Sequence, residues 1–262
     1  ELLASAVERG VATEMQLLKA AAHLYRAKHE AEYFESSEGE IESGIFKGLK
    51  YTNYALCSAL MPKILGSYES ELAPALAAIF PTIDTFLQVG CAEGYYVVGA
   101  ARVFGVPLCM GVDIDASSGL ALAELAQKNG VQRRVSFYQD LHDALRFLKG
   151  RQLVLLDVEG AEEKVLESLA SVSSAGSETM EMTLVIETDF HYDEEFDTPL
   201  RSNSEHLIRA AKAHGFSLQN RIRQDPNNRF VPATKDYSFI KRATLTDEGR
   251  RPGQEWLILH RD

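Results

Sequence analysis

Cysteine is scarce in this chain of 262 residues. Cys57, Cys91 and Cys109 form an odd set without metal-ligand spacing, which argues against both a disulfide framework and a zinc site. Basic charge is also short: 27 Lys and Arg face 38 Asp and Glu, for a net charge of -11 and a pI near 5.2. That sign opposes a grip along a polyanion, so no nucleic acid is expected as a partner, even with a local patch at Arg221, Arg223 and Arg229. No stretch approaches the roughly 18 to 20 apolar residues that a membrane span requires. The opening ELLASAVERGVATEMQLLKA carries charges through its apolar face, unlike a transmembrane helix or a signal peptide. Its first residue is Glu and not Met, as in a chain whose N-terminus has been trimmed. No membrane association is expected, and a reducing cytoplasm is the expected location.

What is present is the balance of a globular protein, 45% hydrophobic and 25% charged residues. The length suits one large domain, or one ordinary domain with an extension. Leu3, Val7, Val11, Met15, Leu18, Ala22 and Tyr25 recur at steps of three and four, which predicts an amphipathic helix to about residue 34 whose apolar face packs in the core or against a second copy. ESSEGEIESG reads as a loop, and ELAPALAAIF as a helix ended by Pro81. From residue 83 the pattern alternates. DTFLQV, LCMGVDI, RVSFYQD, QLVLLDV and MTLVIET have strand length, and helix-like segments at 94–104, 116–129 and 141–149 and EEKVLESLA follow the first four. Runs apolar on both faces and separated by helices predict a parallel sheet covered on each side. FSLQNRIRQ and EWLILHR then suggest an antiparallel hairpin at the sheet edge. The division expected is a helical cap or extension over 1–82 and an α/β domain over 83–262.

The first strand runs into LQVGCAEGYYVVGA. A dinucleotide turn has the pattern G-x-G-x-x-G, whereas here glycines fall at 90, 94 and 99 and Ala92 interrupts the series. In open parallel sheets ligands bind beyond the carboxyl ends of the strands. Those ends carry Asp113, 23 residues after Gly90 and suited to a ribose diol; Gln139-Asp140, suited to an adenine amine; and Asp157. Acids at three successive strand ends suit a cationic adenosine ligand better than a polyphosphate, and S-adenosylmethionine is such a ligand.

GCAEGYY, VDID, FYQD and LLDVEGAEEKVL followed by LVIET resemble the class I S-adenosylmethionine-dependent methyltransferases, and the D-V-E-G-A-E run is similar to the signature of the FkbM-type branch. The resemblance covers about 83–190 well and the tail weakly. It implies an α/β Rossmann-like methyltransferase fold, a seven-stranded mostly parallel sheet with a late antiparallel strand, to which this chain adds its N-terminal helical extension. It also implies methyl transfer, usually to a hydroxyl oxygen. S-adenosyl-L-methionine would be held by Gln88, Gly90, Cys91, Ala92, Glu93, Gly94, Tyr95, Asp113, Ile114, Gln139, Asp140 and Asp157, with Tyr68 and Glu69 of the cap reaching its methionine end. Two departures stand out. Gln88 occupies the place of the family's usual acid, and Ala92-Glu93 stands where the branch usually has Asn-Ile.

An alcohol acceptor needs a base within hydrogen-bond reach. Strands four and five nominate Asp157, Glu159, Glu187, Asp189 and His191, with His191 as base and Asp157 or Glu159 orienting the acceptor. Each has a plainer reading: Glu159 and Glu162 as charges at a helix start, His191 as a solvated loop histidine, Tyr95 and Tyr96 as packing. The cluster Asp157, Glu187, Asp189 and His191 would also suit a divalent cation, hard oxygen ligands favouring magnesium, but without recognisable spacing no metal is predicted. The expected partner is a small hydroxylated substrate, with the first helix a candidate homodimer surface. An N-methyltransferase and a non-catalytic binding module are the alternatives; no Asn-Pro-Pro-Tyr-like motif follows strand four.

Overall fold

The structure, a computed structural model, describes residues 13–36, 39–158, 160–173, 181–188, 190–193, 198–224, 231–248 and 254–262. At its centre is a seven-stranded sheet made of β1 (Thr85–Val89), β2 (Leu108–Val112), β3 (Val135–Tyr138), β4 (Gln152–Leu156), β5 (Met182–Glu187), β8 (Ser217–Arg223) and β9 (Glu255–Arg261), in the order β3-β2-β1-β4-β5-β9-β8. The first five strands are parallel, and β9 inserts antiparallel between β5 and β8. Every residue of β1 and β4 is buried, because helices cover both faces. This is why these strands read as unbroken apolar runs. The order and the single reversed strand give the Rossmann-like methyltransferase fold, and the late hairpin lies at the sheet edge as its sequence pattern predicts.

Successive strand residues point to opposite faces, and two hydrophobic clusters mark the faces. Phe86, Cys109, Leu153, Leu155, Val185 and Trp256 point to one face, toward α3 (Ala73–Ile79), α4 (Tyr95–Gly99), α5 (Ala116–Lys128) and the N-terminal cap. Leu87, Val89, Met110, Leu156, Ile186 and Leu257 point to the other, toward α6 (Leu141–Leu145), α7 (Glu162–Ser173) and α8 (Ser204–Ala213). The helix predicted over 94–104 is α4 continued by a π-helical turn at Ala100–Phe104. The one predicted over 141–149 stops at Leu145. A two-stranded hairpin of β6 (Phe190–Asp193) and β7 (Thr198–Ser202), which no periodicity announces, follows β5.

The cap departs from expectation in its first helix. α1 (Glu14–Ser36) is a long helix, but Leu18 and Tyr25 of its apolar stripe are exposed, as is Leu24 beside it. Its partly buried side is a mixed one that includes Arg26, His29, Glu30, Tyr33 and Phe34. Core packing by the Leu18–Tyr25 stripe is therefore corrected; Leu3, Val7 and Val11 lie outside the described residues. What holds α1 is polar and aromatic: Arg26 Nη1 donates to Asp247 O at 3.2 Å, and Phe34 packs against the first cluster. The rest of the cap is deeply packed. Ile41, Phe46, Leu49, Tyr51, Ile64 and Leu72 are among its fully buried side chains, and α2 (Leu60–Leu65) is buried at all six positions.

Candidate methyl-donor site at the carboxyl edge of the sheet

Register lines the site up. Val89 is level with Val112 and Leu156, Val112 with Tyr138, and Leu156 with Ile186. The next residue on each strand, Gly90, Asp113, Gln139, Asp157 and Glu187, therefore lies in one row along the carboxyl edge. Alternation puts the side chains of Asp113, Gln139, Asp157 and Glu187 on the face that carries the cap, along with Gln88. Strand geometry thus brings together five of the residues nominated from sequence.

The turn after β1 is held from several sides. Gly90 has φ +81°, and a Cβ there would stand 1.7 Å from Asp157 O, so only glycine lets β1 and β4 approach so closely. The Gly90 and Cys91 amides both donate to Val112 O, at 2.9 and 3.1 Å. Asp113 spans the turn: Oδ2 accepts from Ala92 N at 2.9 Å and Oδ1 from Asp115 N at 3.0 Å. Two backbone bonds fix the carboxylate's orientation and leave lone pairs on both oxygens. Gln88 is buried; its Nε2 donates to Gly90 O at 3.1 Å, and its buried Oε1 has no hydrogen-bond partner among the described residues.

Farther along the row Ile114 is 92% exposed, an apolar side chain open beside Asp113. Gln139 Nε2 donates to Ile114 O at 3.4 Å. Asp140 is exposed and caps α6, accepting from His142 N at 2.8 Å. Glu187 is buried and level with Trp256 of β9. Glu162 accepts from Gly160 N at 2.9 Å, the helix-start role of its plainer reading. Glu159 and Asp189 lie outside the described residues, as does the His191 side chain, although its backbone is in β6. Among the described residues no group of three or more His, Cys, Asp and Glu could hold a metal ion.

Glu93 and the tyrosines are tied to the cap. Glu93 is fully buried, and its carboxylate accepts from Tyr51 Oη, from Lys63 Nζ and, at 3.0 Å, from Leu56 N. Burial opposes its ionisation, but the Lys63 charge and the hydrogen bonds from Lys63 and Tyr51 prevail and hold it below the usual carboxylate value. It therefore faces the cap. Tyr95 and Tyr96 are buried in an aromatic group with Phe46 and Tyr68, and the Tyr96 hydroxyl donates to Glu69. Cys91 is buried, and burial followed by the Asp113 charge pushes its thiol far up, which favours the protonated form. Of the basic patch, Arg221 pairs with Glu205 and Glu255, and Arg223 approaches Glu255; Arg229 is outside the described residues. Lys63 was not nominated from sequence. The signal for Lys63 was a lone charge inside the apolar run LMPKIL, which cannot be buried without a partner.

No family model matches the chain, and no curated protein matches it. Among solved structures it is similar to a ribosomal protein L11 methylase of Lactobacillus delbrueckii subsp. bulgaricus, with 16% identity over 68% of this chain and 69% of that one and a TM-score of 0.41. The O-methyltransferase segment StiE O-MT shares 14% identity over 76% and 75%, with a TM-score of 0.48. Aeropyrum pernix fibrillarin, solved with natively bound S-adenosyl-L-methionine, shares 12% over 67% and 66%, with a TM-score of 0.43. The functional reading accordingly rests on this chain's own residues.

Proposed function

We propose that the chain is an S-adenosylmethionine-dependent methyltransferase acting on a hydroxyl of a small metabolite, on an FkbM-like variant of the class I scaffold. The observation that carries the donor is Gln88 Oε1, a buried acceptor atom without a partner among the described residues, two residues before the glycine turn. An ammonium group offers what that atom needs, so the amide does part of the work of the usual acid. Gln88 Nε2, tied to Gly90 O, keeps Oε1 from rotating away. Asp113 would take the ribose hydroxyls, Ile114 would lie against the adenine, and Gln139 with Asp140 would meet its polar edge; Gly90, Cys91, Ala92 and Gly94 supply the backbone beneath.

The bound donor supplies an activated methyl group on a sulfonium. The chain's task is alignment of an acceptor to about 3 to 3.5 Å and removal of its proton. Asp157 and Glu187 stand in the row beside the glycine turn and are suited to orient a hydroxyl, and the DVEGAE run after β4 supports the branch. His191 remains our proposed base, with Asp157 or Glu159 orienting the acceptor. Calorimetry with S-adenosylmethionine and S-adenosylhomocysteine tests the donor: micromolar-range binding of either is expected, and absence of both sinks the proposal. Asp113→Ala should weaken donor binding by tenfold or more, since it removes the carboxylate facing the ribose and loosens the turn at Ala92. Unchanged affinity would move the ribose elsewhere.

A further inference from the structure

Gln224 lies outside the donor row yet belongs to the same edge of the sheet. β9 carries the connection: Trp256 is level with Glu187 of β5 on one side and with Ile222 of β8 on the other. Gln224 is two residues beyond Ile222, so it shares the face of Ile222, Trp256 and Glu187 and lies past the level of Glu187 at the carboxyl edge. One strand separates β8 from β5, which at about 4.8 Å per strand puts Gln224 roughly 10 Å from the Glu187 strand, within the span of a small molecule. β8 is mostly exposed, whereas Gln224 at its end is only 8% exposed. Its backbone amide donates to Gln254 O at 3.1 Å, but neither Nε2 nor Oε1 of the side chain has a hydrogen-bond partner among the described residues.

A buried amide without partners is unfavourable to fold, and a residue that serves packing alone would be Leu or Met. We infer that Gln224 is a specificity residue of the acceptor pocket, pairing with a neutral polar group of the acceptor that both donates and accepts hydrogen bonds, such as a carboxamide or a second hydroxyl. A neutral amide beside Trp256 and Ile222 satisfies such a group but cannot offset a buried charge. Acceptors with a carboxylate or an ammonium at that end are therefore disfavoured.

This inference rests on the methyltransferase reading, and the experiment separates the two. Donor binding is measured by calorimetry on the full chain and on Gln224→Leu, and methyl gain is measured on three para-substituted phenols whose hydroxyl and polar end are far apart: 4-hydroxyphenylacetamide, 4-hydroxyphenylacetate and tyramine. Expected are equal donor affinity in both proteins and a preference of the wild type for 4-hydroxyphenylacetamide. In Gln224→Leu, KM for 4-hydroxyphenylacetamide should rise roughly three- to tenfold, the loss of one neutral hydrogen bond, and the melting temperature should rise because two unpaired polar atoms are gone. A fall in melting temperature would show that Gln224 is bonded within the protein and overturn the inference. So would donor binding with no turnover of 4-hydroxyphenylacetamide, or with a KM for it unchanged by the substitution. Absence of donor binding in the wild type would overturn the methyltransferase reading itself.

Discussion

Ala92 carries a positive φ of +45° between two glycines of the turn. A methyl group in the left-handed region costs about 1 to 2 kcal/mol, and glycine returns part of that as greater unfolded-chain entropy. Ala92→Gly should therefore stabilise the protein by about 0.5 to 1 kcal/mol, seen as a higher midpoint in urea at unchanged slope. Gly90→Ala has the opposite sign. Its methyl would overlap Asp157 O, forcing β1 and β4 apart at the donor turn, so both stability and calorimetric donor affinity should drop. Equal donor affinity in Gly90→Ala would show that the turn is not the donor floor. The two substitutions look alike in sequence, one glycine gained and one lost, yet only the neighbouring strand distinguishes them.

At the scale of elements, the glycine turn after β1 and the cap are joined through Glu93. Its carboxylate takes every described hydrogen bond from the cap: Tyr51, Leu56 and Lys63. Glu93→Gln leaves Lys63 charged and buried, and loss of one partner of a buried pair costs about 3 to 5 kcal/mol. The double variant Glu93→Gln, Lys63→Met should recover most of that, the coupling expected of residues in contact. Because the folded value of Glu93 lies below the ordinary 4.5, its contribution is fully present above that pH and fades as pH falls through the lowered value. The gap in urea stability between wild type and Glu93→Gln should accordingly be widest near neutrality and narrow below about pH 4.5; a gap independent of pH would mean that the pair is not ionic. This joint also shows where sequence reading stops. The strand order's ingredients were legible, since β1, β4 and β5 are apolar runs buried on two faces, and so was the acid row, since register follows from aligned strand ends. The ion pair was not, because Lys63 and Glu93 are thirty residues apart and belong to elements with different patterns. Nor was the packing of α1, whose leucines fit a helical stripe but whose tertiary contacts run through Arg26, Tyr33 and Phe34.

For the whole molecule, the hydrophobic cluster on the cap side crosses the boundary near residue 82: Phe46, Tyr51, Tyr68 and Leu72 belong to it with Phe86, Tyr95, Val97 and Trp256. A Cβ added to Gly99 would come within 2.5 to 2.6 Å of three atoms of the Phe46 ring, so the third glycine of the motif makes room for the cap. Because cap and sheet share this cluster, unfolding of either alone would expose these aromatic rings to water, and the two are expected to melt together. The single tryptophan, Trp256, is 2% exposed at the junction of β5, β9 and β8, far in sequence from the cap. Its fluorescence and the far-ultraviolet dichroism, to which the cap helices contribute, should therefore trace one coincident unfolding transition. Gly99→Ala overpacks the Phe46 contact and should cost about 1 to 3 kcal/mol, moving both signals together. If the dichroism shifted and the Trp256 transition stayed in place, the cap would be an independently folding unit. Glu93 would then be a removable tether between two bodies, and the cap's tyrosines would be free to leave the glycine turn.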